Sequence, residues 1–242
     1  MVYNAFIMRY VLAILVAAVI PACGGSPVDS QKSSAGSSGS SGISVTSPAP
    51  FDDSIAFYGD SITDRAFNRD CLPGYSEVIN GKFPAFTPSY KDLGTSGWTS
   101  VDALANLDAT LAANPGYKYW ALCFGTNDAY FNTTPQAFKS NLRNMVAKLR
   151  TAGKIPVIPT IPYGIGRNAV AYNSALDDVV VSQNVMRGPD LDDWFFRHQE
   201  QLLIDGVNKA PAGQNGDDVH PGDPGRIMIN VLWAQTMEQI YK

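Results

Sequence analysis

Apolar and polar positions fall into two regimes along this chain. Up to about residue 50 there is one short apolar run, residues 11–20, and then a polar stretch rich in serine and glycine. From residue 51 onward, short apolar runs alternate with segments whose apolar residues recur at helical spacing. That alternation predicts an α/β fold, a parallel sheet with helices on both faces. Residues 54–58 read as a first strand, 75–82 as a short helix and 89–93 as a second strand. The spacing of Val101, Leu104, Leu107 and Leu111 predicts a helix over 101–113, stopped by Asn114-Pro115-Gly116. The continuous apolar run 117–124 has the character of a buried central strand. Thr134 followed by Pro135 predicts an N-cap and first helical residue, and Phe138, Leu142, Met145, Val146 and Leu149 form the apolar face of a helix to about Thr151. A strand over 154–160, a helix over 168–181, a short last strand within 185–191 and a helix over 194–203 follow. A polar loop over 205–224 and an amphipathic helix over 224–241 close the chain.

Composition adds limits. At 242 residues the chain has room for one full-sized domain with tails, and 45% hydrophobic with 17% charged residues is ordinary for a soluble core. A net charge of -4 without a Lys/Arg block excludes a nucleic-acid-binding surface. Arg9, the apolar run 11–20 and the small residues before Cys23 have the order of an export signal. The run is short for a spanning helix, which needs about 20 residues. Ile20-Pro21-Ala22-Cys23 resembles the lipobox of bacterial lipoproteins, in which the cysteine is lipidated. The resemblance implies export to the cell envelope and membrane attachment through a lipid on Cys23; a secreted protein and an uncleaved anchor are the alternatives. The organisation expected is a signal peptide over 1–22, a flexible Ser/Gly-rich tether over 23–50 and one catalytic domain over 51–242.

Candidate chemistry begins at Ser61. It ends the run Ile55-Ala56-Phe57-Tyr58-Gly59-Asp60, at the carboxyl end of the first predicted strand, where open α/β sheets bind ligands. A serine hydroxyl needs a base to become a nucleophile, and the chain has only His198 and His220. His198 lies among Trp194, Phe195, Phe196, Leu202 and Leu203, as a histidine on a helix face would. His220 closes Asp217-Asp218-Val219-His220, where a carboxylate three residues earlier can take the Nδ1 proton and leave Nε2 as a base. Asn127 follows the buried strand with a side-chain amide, and Gly97 offers a backbone N–H without a side chain. With the Ser61 N–H these form a candidate oxyanion hole, although each alone is an ordinary turn former. Asp60 shapes the turn. No His/Cys/carboxylate cluster has metal-ligand spacing, so no metal or cofactor is expected.

Gly59-Asp60-Ser61-Ile62, Gly97, Gly125-Thr126-Asn127-Asp128 and Asp217-x-x-His220 together resemble, in order, the blocks of the SGNH (GDSL-like) hydrolases, with Ile62 where leucine is commonest. The resemblance implies a three-layer α/β/α, flavodoxin-like fold and hydrolysis of carboxylic esters or thioesters. It implies Ser61 as nucleophile, His220 as base and acid, Asp217 as its orienter, and Gly97, Asn127 and Ser61 as oxyanion donors. No Gly-x-Ser-x-Gly elbow occurs, which counts against the ordinary α/β-hydrolase fold.

Substrate is less constrained. Phe67, Arg69, Tyr75, Trp98, Tyr130, Phe131, Tyr163 and Arg167 lie in loops around the expected site; they either meet substrate or pack beneath the loops. Trp98 and Tyr130 are the substrate-binding candidates. The short segment after Ser61 has no room for a large lid, which favours short acyl esters, for example acetyl on a glycan, and a monomer acting on a small-molecule or glycan ester. Acyl transfer to an alcohol, a lysophospholipase or thioesterase, and a catalytically silent glycan-binding module are the alternatives. Cys71 and Cys123 either pair in an oxidising envelope or leave Cys123 as a buried thiol.

Overall fold

A computed structural model describes residues 54–67, 90–164, 169–198 and 219–241. The expected tether, Cys23, Cys71, the helix over 75–82 and Asp217 lie outside the described residues.

Among the described residues, five parallel strands form the sheet. They are β1 (Ile55–Gly59), β2 (Tyr90–Gly94), β3 (Tyr119–Cys123), β4 (Ile155–Ile158) and β5 (Met186–Arg187), in the spatial order β2-β1-β3-β4-β5. This is the doubly wound order whose direction reverses between β1 and β3. β1 is buried along its whole length, and its side chains alternate between two cores with the period of a strand. Ala56 and Tyr58 join the core formed with Trp120, Leu122, Phe138 and Leu142. Phe57 points the other way, stacking on Phe67 at 3.7 Å and meeting Trp233 edge-on at 5.2 Å.

Helices cover both faces, completing three layers. The first face carries α2 (Ser100–Ala113), α4 (Pro135–Thr151) and α5 (Val170–Ser182), packed in that sequence. The second carries α1 (Ser61–Phe67) and α7 (Asp223–Tyr241), with α6 (Leu191–Arg197) beside α7. A single turn and a half, α3 (Thr126–Tyr130), sits at the end of β3. α4 starts as its residues predict: Thr134 caps it through Ala137 N–H at 3.2 Å and Pro135 occupies the first turn. All five apolar residues named for its inner face are fully buried. At roughly 1.5–3 kcal/mol per buried side chain, this packing outweighs any propensity difference in the helix.

Three local expectations differ from the structure. Residues 61–67 are helical rather than loop, because the Asp60 carboxylate accepts the Ile62 N–H at 2.9 Å and nucleates the first turn. Val101 is half exposed (52%) rather than part of the core face of α2. The capping box of Thr99 with Asp102 fixes the phase of that helix, so that Ser100, Ala103 and Leu107 point inward and Val101 lies one residue off the stripe. The helix placed over 194–203 begins earlier, at Leu191, where the Asp190 carboxylate caps it.

Asp92 on the edge strand β2 carries a pH-dependent cost. Burial is the main cause pushing its carboxyl from 3.8 up to about 6; the Asp64 carboxylate adds to the shift and the Gly94 N–H, 2.8 Å from Oδ1, opposes it. The folded chain therefore holds a proton that the unfolded chain has released between 3.8 and about 6, and stability falls as pH rises through that window. Asp92→Asn keeps an acceptor for Gly94 and removes the charge. It is expected to raise the unfolding free energy by on the order of 1 kcal/mol at about pH 8, after allowance for solvent screening, and hardly at all at about pH 4. Urea melts at both pH values check this, and an equal effect at both would refute it.

Candidate active site

Ser61 is the first residue of α1, directly past the end of β1, and is buried to 6% exposure. The turn that holds it is crowded on both sides. Gly59 lies against Thr63 and Cys123, and a Cβ on Gly94 would stand 2.3 Å from the Asp64 backbone nitrogen. At the start of a helix, the first N–H groups have no intrahelical acceptor, so the Ser61 amide is a donor by position.

His220 stands 2.8 Å from this hydroxyl, Nε2 to Ser61 Oγ, although the two residues are 159 positions apart. With Nε2 unprotonated, the hydroxyl donates to it, the contact a base needs to take that proton. His198 is elsewhere. It caps α6, with its ring stacked on Trp194 at 4.2 Å and Nδ1 bound to the Trp194 carbonyl at 2.7 Å.

Gly97 and Asn127 come from the strands on either side of β1. Gly97 lies in a turn closed by Trp98 N–H donating to Thr95 O at 3.2 Å, with φ at +81°, a value that glycine adopts without strain. The space where its Cβ would be is open. Asn127, in α3, donates one amide hydrogen to the Trp98 carbonyl at 2.9 Å, and that bond leaves its second N–H unused. The two loops are thus tied to each other beside Ser61.

The aromatic residues divide. Phe67 is buried against Phe57, and the Trp98 ring packs edge-on to Tyr58 at 6.1 Å. Tyr163 meets Phe196 edge-on, whereas Tyr130 and Phe131 are exposed at 63% and 58%. Arg69, Tyr75 and Arg167 lie outside the described residues. Asp60, Ile62 and Thr126, chain neighbours of Ser61 and Asn127, help line a cavity of about 30 Å³ with Cys123, Phe124 and Trp233. Cys123 is a free thiol that burial holds well above its ordinary pKa, so it is a poor nucleophile.

Sequence reasoning passed over one part of this site. Asp128, quoted in the motif without a role, is fully buried and accepts from both the N–H and the hydroxyl of Ser100. Its only sequence signal is a carboxylate residue directly after Asn127, which an exposed turn would also show.

Comparison with solved structures gives the same fold at low identity. The lipase/acylhydrolase of Enterococcus faecalis aligns with a TM-score of 0.61 and 19% identity over 77% of this chain and 96% of its own. The acetylxylan esterase Axe2 of Geobacillus stearothermophilus gives 0.61 and 19% over 78% and 95%. The psychrotrophic esterase EstA of a Pseudoalteromonas species gives 0.60 and 19% over 78% and 98%. Curated proteins yield no significant match. The model of the GDSL-like lipase/acylhydrolase family matches residues 57–226, from the middle of β1 into α7, a span that takes in Ser61, Gly97, Asn127 and His220. The chain belongs to that family, and the activity that goes with it is ester hydrolysis.

Proposed function

We propose that this protein is a serine esterase that cleaves short-chain acyl esters, acetyl foremost, by way of an acyl-enzyme. The observation that carries the proposal is the 2.8 Å contact between Ser61 Oγ and His220 Nε2 at the point where the strand order reverses. His220 takes the hydroxyl proton as Oγ attacks the ester carbonyl. The carbonyl oxygen becomes an oxyanion held by the N–H groups of Ser61 and Gly97 and the free N–H of Asn127. His220 then returns its proton to the departing alcohol. Water, deprotonated by the same imidazole, releases the acid and restores Ser61. Asp217 is assigned to hold the Nδ1–H of His220.

One comparison favours small acyl groups. The structurally similar Geobacillus protein is an acetylxylan esterase, so an acetylated glycan is the proposed substrate. Tyr130, exposed one helical turn beyond Asn127, is positioned to stack on a sugar ring, whereas the Trp98 ring is engaged with the core. The acetyl ester of p-nitrophenol is expected to exceed the octanoyl ester in kcat/KM by about tenfold or more. Tyr130→Ala should raise KM severalfold on acetylated xylan and leave p-nitrophenyl acetate unchanged. A preference for octanoate would overturn the chain-length assignment. The Pseudoalteromonas esterase was captured inhibited by monoethylphosphonate. A phosphonate ester should likewise modify Ser61.

A further inference from the structure

The sheet does not set the distance between Gly97 and Asn127. Their loops follow β2 and β3, which are not neighbours; β1 lies between them and leads into Ser61 at the start of α1. An oxyanion hole drawing on all three strands therefore needs a direct brace between the two outer loops. Two adjacent residues of α3 supply contacts across that gap. Asn127 grips the Trp98 carbonyl at 2.9 Å. Asp128 grips Ser100, accepting its N–H on Oδ2 at 2.9 Å and its hydroxyl on Oδ1 at 2.6 Å.

The brace is rigid on both sides. Ser100 opens α2, and its Oγ in turn accepts from Asn141 Nδ2 of α4 at 2.9 Å, so the receiving end is fixed to the helical layer. On the Asp128 side, its carbonyl accepts the Thr133 N–H at 2.9 Å, and Tyr172 donates to the Thr133 carbonyl at 2.6 Å. Asp128 and Ser100 are both fully buried. Burying a carboxyl costs free energy unless it is hydrogen-bonded, and here burial pushes its pKa up while the Ser100 bonds pull it down. Two donors at short range on the two oxygens offset that cost and define one geometry.

We propose that Asp128 is the positioning residue of the oxyanion hole, setting the separation of the Gly97 and Asn127 donors through its two bonds to Ser100. This rests on the esterase assignment above, in which those donors act. Asp128 touches no substrate. It acts on the transition state alone, because the donors must meet a tetrahedral oxyanion more closely than they meet a planar ester.

Ser100→Ala removes only the hydroxyl bond and keeps the N–H. It is expected to lower kcat on p-nitrophenyl acetate about tenfold, and Asp128→Ala about a hundredfold, each with KM within about twofold. Asp128→Asn retains an acceptor for the Ser100 N–H and should recover much of the loss. Phenylboronic acid, which forms a tetrahedral adduct at the serine, should lose affinity in parallel with kcat. If Asp128→Ala does not fold, Ser100→Ala decides the matter. Folded variants with lowered melting temperature but unchanged kcat and boronate affinity would show a merely structural residue and overturn the proposal. Full activity of Ser61→Ala would instead overturn the esterase assignment, with the Asp128 result standing apart from it.

Discussion

Ser61→Ala is expected to lower ester hydrolysis by about ten-thousandfold or more, leaving only what the oxyanion donors and binding contribute over water. The hydroxyl sits 2.8 Å from His220 Nε2, and in the proposed mechanism the two act as one unit. His220→Ala should therefore cost about as much, and the double variant little more than either single one, the non-additivity of residues that work in one step. Stability should change by no more than about 1 kcal/mol, since only one hydrogen bond is lost and alanine fits the same helical position. Kinetics on p-nitrophenyl acetate with thermal melts of all three proteins check this. A Ser61→Ala protein that retains wild-type turnover would move the chemistry to another residue.

The second large effect belongs to a residue without a side chain. In Gly94→Ala, the new methyl would lie 2.3 Å from Asp64 N, 2.7 Å from Asp64 Cα and 2.9 Å from Asp60 O. All three atoms are backbone of the first turn of α1, closed by Asp64 N–H donating to Asp60 O at 3.1 Å. No rotamer change relieves the clash, so the turn carrying Ser61 must move as a body. The expected cost is about 3 kcal/mol of stability, with kcat/KM falling on the order of a hundredfold as Ser61 leaves His220. Gly97→Ala makes the contrast. Its methyl would meet nothing within 4 Å, and the cost comes from φ at +81° alone, roughly 1–2 kcal/mol. Denaturant melts paired with esterase assays separate the two cases. A Gly94→Ala protein as stable and active as wild type would mean that β2 yields where the packing says it cannot.

These expectations show where the sequence is a good guide. The strands of the core and the inner face of α4 were legible because burial requires apolar side chains at fixed periods, and that requirement is written residue by residue. Ser61, Gly97, Asn127 and His220, the residues proposed for the site, stood out as candidates because few residue types suit such chemistry and only two histidines exist in the chain. The helix beginning at Ser61 was missed. Its seven residues are too few to show periodicity, and its start depends on the Asp60 cap rather than on any pattern. Val101 was misplaced for a related reason. Its spacing from Leu104, Leu107 and Leu111 fits a helical face, but the capping box and the inward Ser100 set the phase.

Asp128 marks the boundary most clearly. By itself the sequence determined the layer architecture and singled out the residues proposed as nucleophile and base, because those follow from local pattern and from residue chemistry. Only the tertiary structure decided which loops meet. β1 separates β2 from β3 in space but lies before both in the chain. The bonds from Asn127 to Trp98 and from Asp128 to Ser100 therefore cross a gap that no sequence spacing encodes. A contact between residues 28 positions apart leaves no periodic trace. It exists because the order of strands in the sheet brings their ends to one edge, where buried polar groups must find partners.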